Sequence, residues 1–180
     1  MNVLVLDFDG VVNNDSSIEQ NTRYIINPTD LETSYIHYFV PQLIRNIKQL
    51  CDKFDFKIVI SSTWRIDFSI EEMKSIFKNQ FSIDQEIIGY TTTKFLDYTY
   101  RSRLEDTNGY VQCYDRGLQI TKYLEDNQLQ DCNYLVVDDS YDAGYGHTDN
   151  FFRVNPQVGF NETHLTDCIT FFEGIINNAN

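Results

Sequence analysis

No apolar run in this 180-residue chain approaches the roughly 20 residues a membrane-spanning helix requires, so a membrane protein is not expected. No charged and apolar leader precedes the first strand-like segment at Val3, and the expectation is a cytosolic protein. Basic residues are scarce: 14 Lys and Arg stand against 27 Asp and Glu, a formal net charge of −13. A field of that sign repels phosphate polyanions and disfavours extended tracking of a nucleic-acid backbone, although a local basic pocket or capture of one chain end is compatible with it. The four cysteines, Cys51, Cys113, Cys132 and Cys168, lack the paired spacing of a metal site, and His37, His147 and His164 form no zinc pattern. Reduced thiols follow, two or three of them in the core. Asn161-Glu162-Thr163 spells a glycosylation acceptor, which has no consequence in the cytosol. Repeats, linkers and low-complexity blocks are absent, and the length points to one domain over residues 1–180.

What is present is an alternation of strand-like and helix-like segments. The stretch "VLVLDFDGVV" carries a short continuous apolar run, Val3 to Leu6, as expected of a strand covered on both faces, and Gly10 breaks it. From Phe39, the residues Val40, Leu43, Ile44, Ile47, Leu50, Cys51 and Phe54 recur at helical spacing, with Pro41 tolerated in the first turn. "KIVIS" at 57–61 reads as a second buried strand, and Ser69 with acids behind it opens a second helix. "EIIG" at 86–89 is a short third strand, residues 117–127 a helix, "NYLVVDDS" a fourth strand, "FFRV" a fifth, and Asn161 caps a closing helix. The order βαβαβαββα predicts a three-layer α/β sandwich on a mainly parallel, Rossmann-like sheet. Residues 90–115 take no clear assignment.

The chemistry gathers at strand ends. Asp7 and Asp9 end the first strand and Asp138 and Asp139 the fourth, and parallel strands put both ends on the ligand-binding edge. Four converging carboxylates repel one another; a hard divalent cation relieves that crowding, and Mg²⁺ suits a few carboxylates with phosphate and water. Ser61, Ser62 and Thr63 in "SSTWR" offer hydroxyls for phosphate oxygens, or a helix-capping cluster. Arg116, at a helix start, supplies a cation for the acids and a phosphate together, with Lys122 as a fallback. Trp64 is expected to pack beneath this segment and Arg65 to pair with an acid, with a reach toward substrate as its alternative. His147 is read as a loop residue bordering the site.

These residues resemble the ordered motifs of the haloacid dehalogenase-like (HAD) phosphohydrolase superfamily: "DFDG", Ser61-Ser62, Arg116 and Asp138-Asp139. "FKIVISSTWR", "RGLQITKYL", "YLVVDDS" and "VGFNETHLTDCI" are similar to the small capless branch found as the HAD domain of Swiss Army Knife RNA repair proteins. The resemblance implies Asp7 as a nucleophile that becomes an aspartyl-phosphate, and Asp9 as general acid and then base. It implies Mg²⁺ on Asp7, Asp139 and the Asp9 carbonyl, with Asp138 orienting a ligand or exchanging roles with Asp139. Ser62 or Ser61, Arg116 and Gly10 would hold the phosphoryl group, arginine standing where lysine is common.

Residues 13–36 and 90–115 are too short for a large cap, which favours an open site and a phosphate at the end or surface of a large substrate. A nucleic-acid end is the partner the branch suggests, and the acidic charge opposes it. Lys94, Arg101 and Arg103, interleaved with Tyr90, Phe95, Tyr98 and Tyr100, would serve it as a stacking wall or simply cover the core. A phosphotyrosine protein phosphatase and a non-enzymatic phosphate- or metal-binding module are the alternatives.

Overall fold

The computed structural model describes residues 1–15, 17, 39–92 and 115–178. Five strands form one sheet: β1 (Asn2–Leu6), β2 (Phe56–Ile60), β3 (Ile87–Tyr90), β4 (Asn133–Asp138) and β5 (Phe151–Arg153). Four α-helices accompany them among the described residues: α1 (Pro41–Phe54), α2 (Ile70–Gln80), α3 (Asp115–Asp126) and α4 (Glu162–Asn178). Their order along the chain is the βαβαβαββα expected from the sequence. The sheet runs β3-β2-β1-β4-β5, and every pairing is parallel, beyond the mainly parallel sheet expected.

Period-two alternation in β1 separates two cores. Leu4 and Leu6 face α1, α2 and α4, while Val3 and Val5 face Ile120 and Leu124 of α3. Both faces are therefore covered, which is why β1 reads as unbroken hydrophobe. On the larger side Phe172 of α4 packs on Phe54 and Phe56, with ring centroids 5.0 and 4.6 Å away.

Local chemistry sets the helix ends. Ser69 and Glu72 form a reciprocal capping box on α2. Asn161 Oδ1 accepts the His164 amide at 3.0 Å, so the side chain of the apparent glycosylation acceptor is occupied as a cap. Pro41 sits where a missing N–H leaves no intrahelical bond unmade. Cys51 and Cys168 are buried and Cys132 half-buried, all free thiols.

Several expectations fall outside the described residues: the size of any cap in 13–36 and 90–115, Cys113, His37, and the wall of Lys94, Phe95, Tyr98, Tyr100, Arg101 and Arg103. Tyr90 is described, and its hydroxyl donates to the Ser69 carbonyl at 2.8 Å.

Truncating Phe172 to Ala should lower the unfolding free energy by about 3–5 kcal/mol in urea titrations, because it opens a cavity where two aromatic neighbours cannot collapse. A loss under about 1 kcal/mol would show that α4 contributes little to the larger core.

Candidate active site

The sheet order reverses direction of growth between β1 and β4, and such a switch point leaves a crevice beyond the strands' carboxyl ends. The register fixes what lines it. Leu6 lies opposite Ile60 and Val137, and the ladder continues through Ser61 N–H to Leu6 O at 3.0 Å and Asp7 N–H to Val137 O at 3.1 Å. Thr91 N–H to Ile60 O at 3.0 Å extends it to β3. Thr91, Ser61, Asp7 and Asp138 thus form one row across four strand ends. Alternation turns Asp7 to the face of Val5, which is the α3 face.

Arg116, in the first turn of α3, enters from that side. Its Nη1 lies 3.0 Å from Asp7 Oδ2 and 2.8 Å from Asp138 Oδ2. Asp138 Oδ1 accepts the Ser140 amide at 2.8 Å, so both of its oxygens are engaged. Asp139 completes the cluster, with one carboxylate oxygen from each of Asp7, Asp138 and Asp139 lying within 4.8 Å of the others. Gly10 permits this approach. Its φ of +78° suits glycine, and a Cβ there would sit 2.7 Å from Asp139 Cγ.

One guanidinium does not neutralise three acids, and burial decides the remainder. Desolvation pushes the Asp7 carboxyl up to about 6, against the lowering effect of Arg116. Desolvation and then the Asp7 charge push Asp138 up to about 8. Asp139 is raised by burial as well, and Arg116 is raised by the acids around it despite its own burial. The donor set is entirely hard carboxylate oxygen with charge to spare, which fits Mg²⁺.

Asp9 lies apart from this cluster and is held in place by two donors. Trp64 Nε1 donates to Asp9 Oδ2 at 3.1 Å, and Asn13 Nδ2 donates to Oδ1 at 2.8 Å. Asn13 Oδ1 in turn accepts the Gly10 amide at 2.8 Å. Gly10, expected among the phosphate contacts, therefore directs its N–H within its own loop. Trp64 also packs below the site as expected, near the rings of Phe8, Phe39 and Phe68.

Of the two candidate serines, Ser62 Oγ accepts the Trp64 amide at 3.5 Å as a cap of the 3₁₀ turn Thr63–Ile66. Ser61 Oγ is buried beside Asp7 without a hydrogen-bond partner among the described residues, and so is Thr91 Oγ1 one strand further out. Among the described residues Arg65 pairs with no acid. It donates to the Thr91, Ser61 and Ser62 carbonyls and to Gln119 of α3, because the β2 and β3 ends present carbonyls there. Burial, then the Arg116 charge, lowers its guanidinium to about 10.

Lys122 faces away and pairs with Asp126. His147 is a loop residue in chain terms, yet it is buried: Nε2 lies 2.9 Å from the Gly117 carbonyl and Nδ1 3.0 Å from the Tyr134 hydroxyl. Burial pushes its pKa down, so the neutral ring braces the start of α3 from which Arg116 projects. Asn13, Thr91 and this bracing role escaped the sequence reading. Only the position of Asn13, just past an Asp-x-Asp-Gly turn, hinted at one of them.

A fully parallel α/β sheet with aspartates gathered at its switch point, a hydroxyl beside the lead acid and a cation above it defines the class as HAD-like. The family described as the HAD domain in Swiss Army Knife RNA repair proteins matches residues 3–165, and the chain belongs to that family. The family is one of phosphohydrolases that act through acidic residues and generally with magnesium. No curated protein and no solved structure matches the chain.

In the metal-free protein, Asp7 and Asp138 retain protons that the unfolded chain releases near pH 4, so stability should fall as pH rises from about 4 to 8. Thermal melts should show Asp138→Asn flattening that slope. Added Mg²⁺ should raise the melting temperature more at about pH 8 than at about pH 5, where protons compete for the same oxygens. Equal shifts at the two values would count against a site made of these carboxylates.

Proposed function

We propose that the chain, as one domain over residues 1–180, is a Mg²⁺-dependent phosphomonoesterase that works through an aspartyl-phosphate on Asp7. The observation that carries the reading is Asp7 itself: a buried carboxylate at the switch point, under Arg116 and beside a Ser61 hydroxyl with no hydrogen-bond partner among the described residues. Nothing about a purely structural acid calls for that company. Asp7 Oδ2 is held by Arg116, which aims the carboxylate; attack on phosphorus forms the acyl phosphate as the ester P–O bond breaks.

Asp9 gives its proton to the departing oxygen and then takes one from the water that hydrolyses the acyl phosphate. Its clamp of Trp64 and Asn13 fixes the carboxylate for both transfers. Ser61 Oγ, without a partner among the described residues, donates to a phosphoryl oxygen, and Ser62 keeps the following turn in shape. Arg116 faces the charge that develops on the transferred group. Asp7 and Asp139 would hold Mg²⁺, which would supply neutralisation of phosphate charge, with Asp138, the third carboxylate of the cluster, fixed by Arg116 and Ser140 to orient its neighbours. The substrate class is a terminal phosphate on a large molecule, for which the nucleic-acid end suggested by the family is the first choice.

Phosphate release from para-nitrophenyl phosphate and from phosphorylated oligonucleotides, with Mg²⁺ and with a chelator, tests this. Asp7→Asn should lose at least about a thousandfold in kcat while remaining folded, since it removes a buried charge. Ser61→Ala should lose about ten- to a hundredfold, and Ser62→Ala less in rate than in melting temperature. Turnover that survives chelation or Asp7→Asn would refute the mechanism; Mg²⁺ binding without any turnover would leave a binding module.

A further inference from the structure

Immediately beyond the acid pair the chain makes a 3₁₀ turn, Tyr141–Gly144, whose inner residues Ala143 and Gly144 are buried. Gly144 fits so closely that a Cβ would meet the Phe151 ring at 2.4 Å. The turn is thereby locked against β5, and Tyr141 at its start is left 72% exposed, two residues from Asp139. An aromatic ring standing in water at the lip of an acidic site is not accounted for by core packing.

One face of that ring is covered. The Arg153 guanidinium carbon lies 3.5 Å from the ring centroid, while Arg153 Nε donates to the Asp139 carbonyl at 3.0 Å. Arg153 is also the register partner of Asp138 across β4 and β5. Arg153 therefore ties the ring, by a cation–π contact, to the backbone of the acid pair, by a hydrogen bond. Arg153 also lines a cleft of about 440 Å³ with Val154, Asn155, Pro156, Gln157 and His164.

We propose that Tyr141 and Arg153 form the subsite that selects the substrate: Tyr141 stacks on the base of the nucleotide carrying the scissile phosphate, and Arg153 pairs with the next phosphate, leading the strand toward the cleft. The inference rests on the phosphatase reading above for which phosphate is cleaved. A single-stranded end presents its terminal phosphate, a base carried on the intervening sugar and a second phosphate, and Arg116 at the acid cluster, the exposed Tyr141 ring and Arg153 offer one group for each. Arginine backing the ring leaves its opposite face open to a second flat partner, as in stacking platforms for single strands. A phosphotyrosine side chain would fill the ring position yet bring no second anion to Arg153. One cation beyond the reaction centre is also what an acidic protein needs to hold a chain end without tracking a backbone.

Two measurements separate this subsite from the catalytic reading. In the first, a fluorescent single-stranded oligonucleotide ending in a phosphate is titrated into the Asp7→Asn protein with Mg²⁺. Tyr141→Ala in that background should weaken binding about tenfold and Tyr141→Phe should preserve it, as expected for one stacked base. Arg153→Gln should weaken binding and reduce the slope of log affinity against log salt by about one contact's worth. In the second, kcat/KM is compared between the oligonucleotide, a phosphotyrosine peptide and glycerol phosphate. The preference for the oligonucleotide over glycerol phosphate should fall about tenfold in Tyr141→Ala.

Equal affinities for the Tyr141→Ala and parent proteins, or an unchanged ranking of substrates, overturn the subsite and leave the phosphatase standing. A higher kcat/KM on the peptide than on the oligonucleotide overturns it in favour of a protein substrate. Strand binding weakened by Tyr141→Ala, together with no phosphate release by the wild-type protein on any of the three substrates, supports the subsite and refutes the phosphatase instead.

Discussion

Three aspartates, Asp7, Asp138 and Asp139, bring carboxylate oxygens within 4.8 Å of one another, and the Arg116 guanidinium bridges two of them. Like charges so close, largely out of water, raise one another's proton affinity, and a single cation offsets only part of that repulsion. Much of the surrounding architecture follows from keeping this arrangement in place. The two central strands must be parallel and adjacent so that both acid-bearing ends reach one edge. Helix α3 must begin above them, and His147 and Tyr134 fasten its first turn through the Gly117 carbonyl. Gly10 must lack a side chain so that Asp139 can close the cluster.

The second acid of the opening motif follows a different rule. Asp7 and Asp9 are separated by one residue, yet the first is buried under a cation and the second is gripped by neutral N–H donors. Two carboxylates placed in distinct surroundings can divide nucleophilic and proton-transfer work between them. The division depends on the aromatic core, because Trp64 reaches Asp9 only from its seat near Phe8, Phe39 and Phe68. Core packing and site geometry are thus the same interaction seen from two sides.

The order of strands and helices along the chain, the helix caps at Ser69 and Asn161, and the acid-bearing strand ends were all legible because each is a local property: apolar runs, capping residues and breaks repeat at short range. The motif spacing also marked the HAD-like family. Less was legible wherever a side chain's partner lay far along the chain. Arg65 was expected to meet an acid and instead meets carbonyls at the ends of β2 and β3, since sequence shows its charge but not which backbone groups the sheet leaves unpaired. His147 looked like loop punctuation and is a buried brace. Trp64 was placed correctly in the core, but its indole N–H, aimed at Asp9, was invisible.

By itself, then, the sequence determined the alternating elements, the parallel sheet and the set of chemical groups delivered to its carboxyl edge, because strand periodicity and turn chemistry act within a few residues. Only the tertiary structure decided which of those groups touch: that Arg116 bridges Asp7 and Asp138, that Ser61 rather than Ser62 is left without a partner among the described residues, and that Tyr141 lies exposed against Arg153. Those outcomes depend on strand register and on the depth at which α3 and β5 pack, and no local pattern encodes a distance between residues so far apart along the chain.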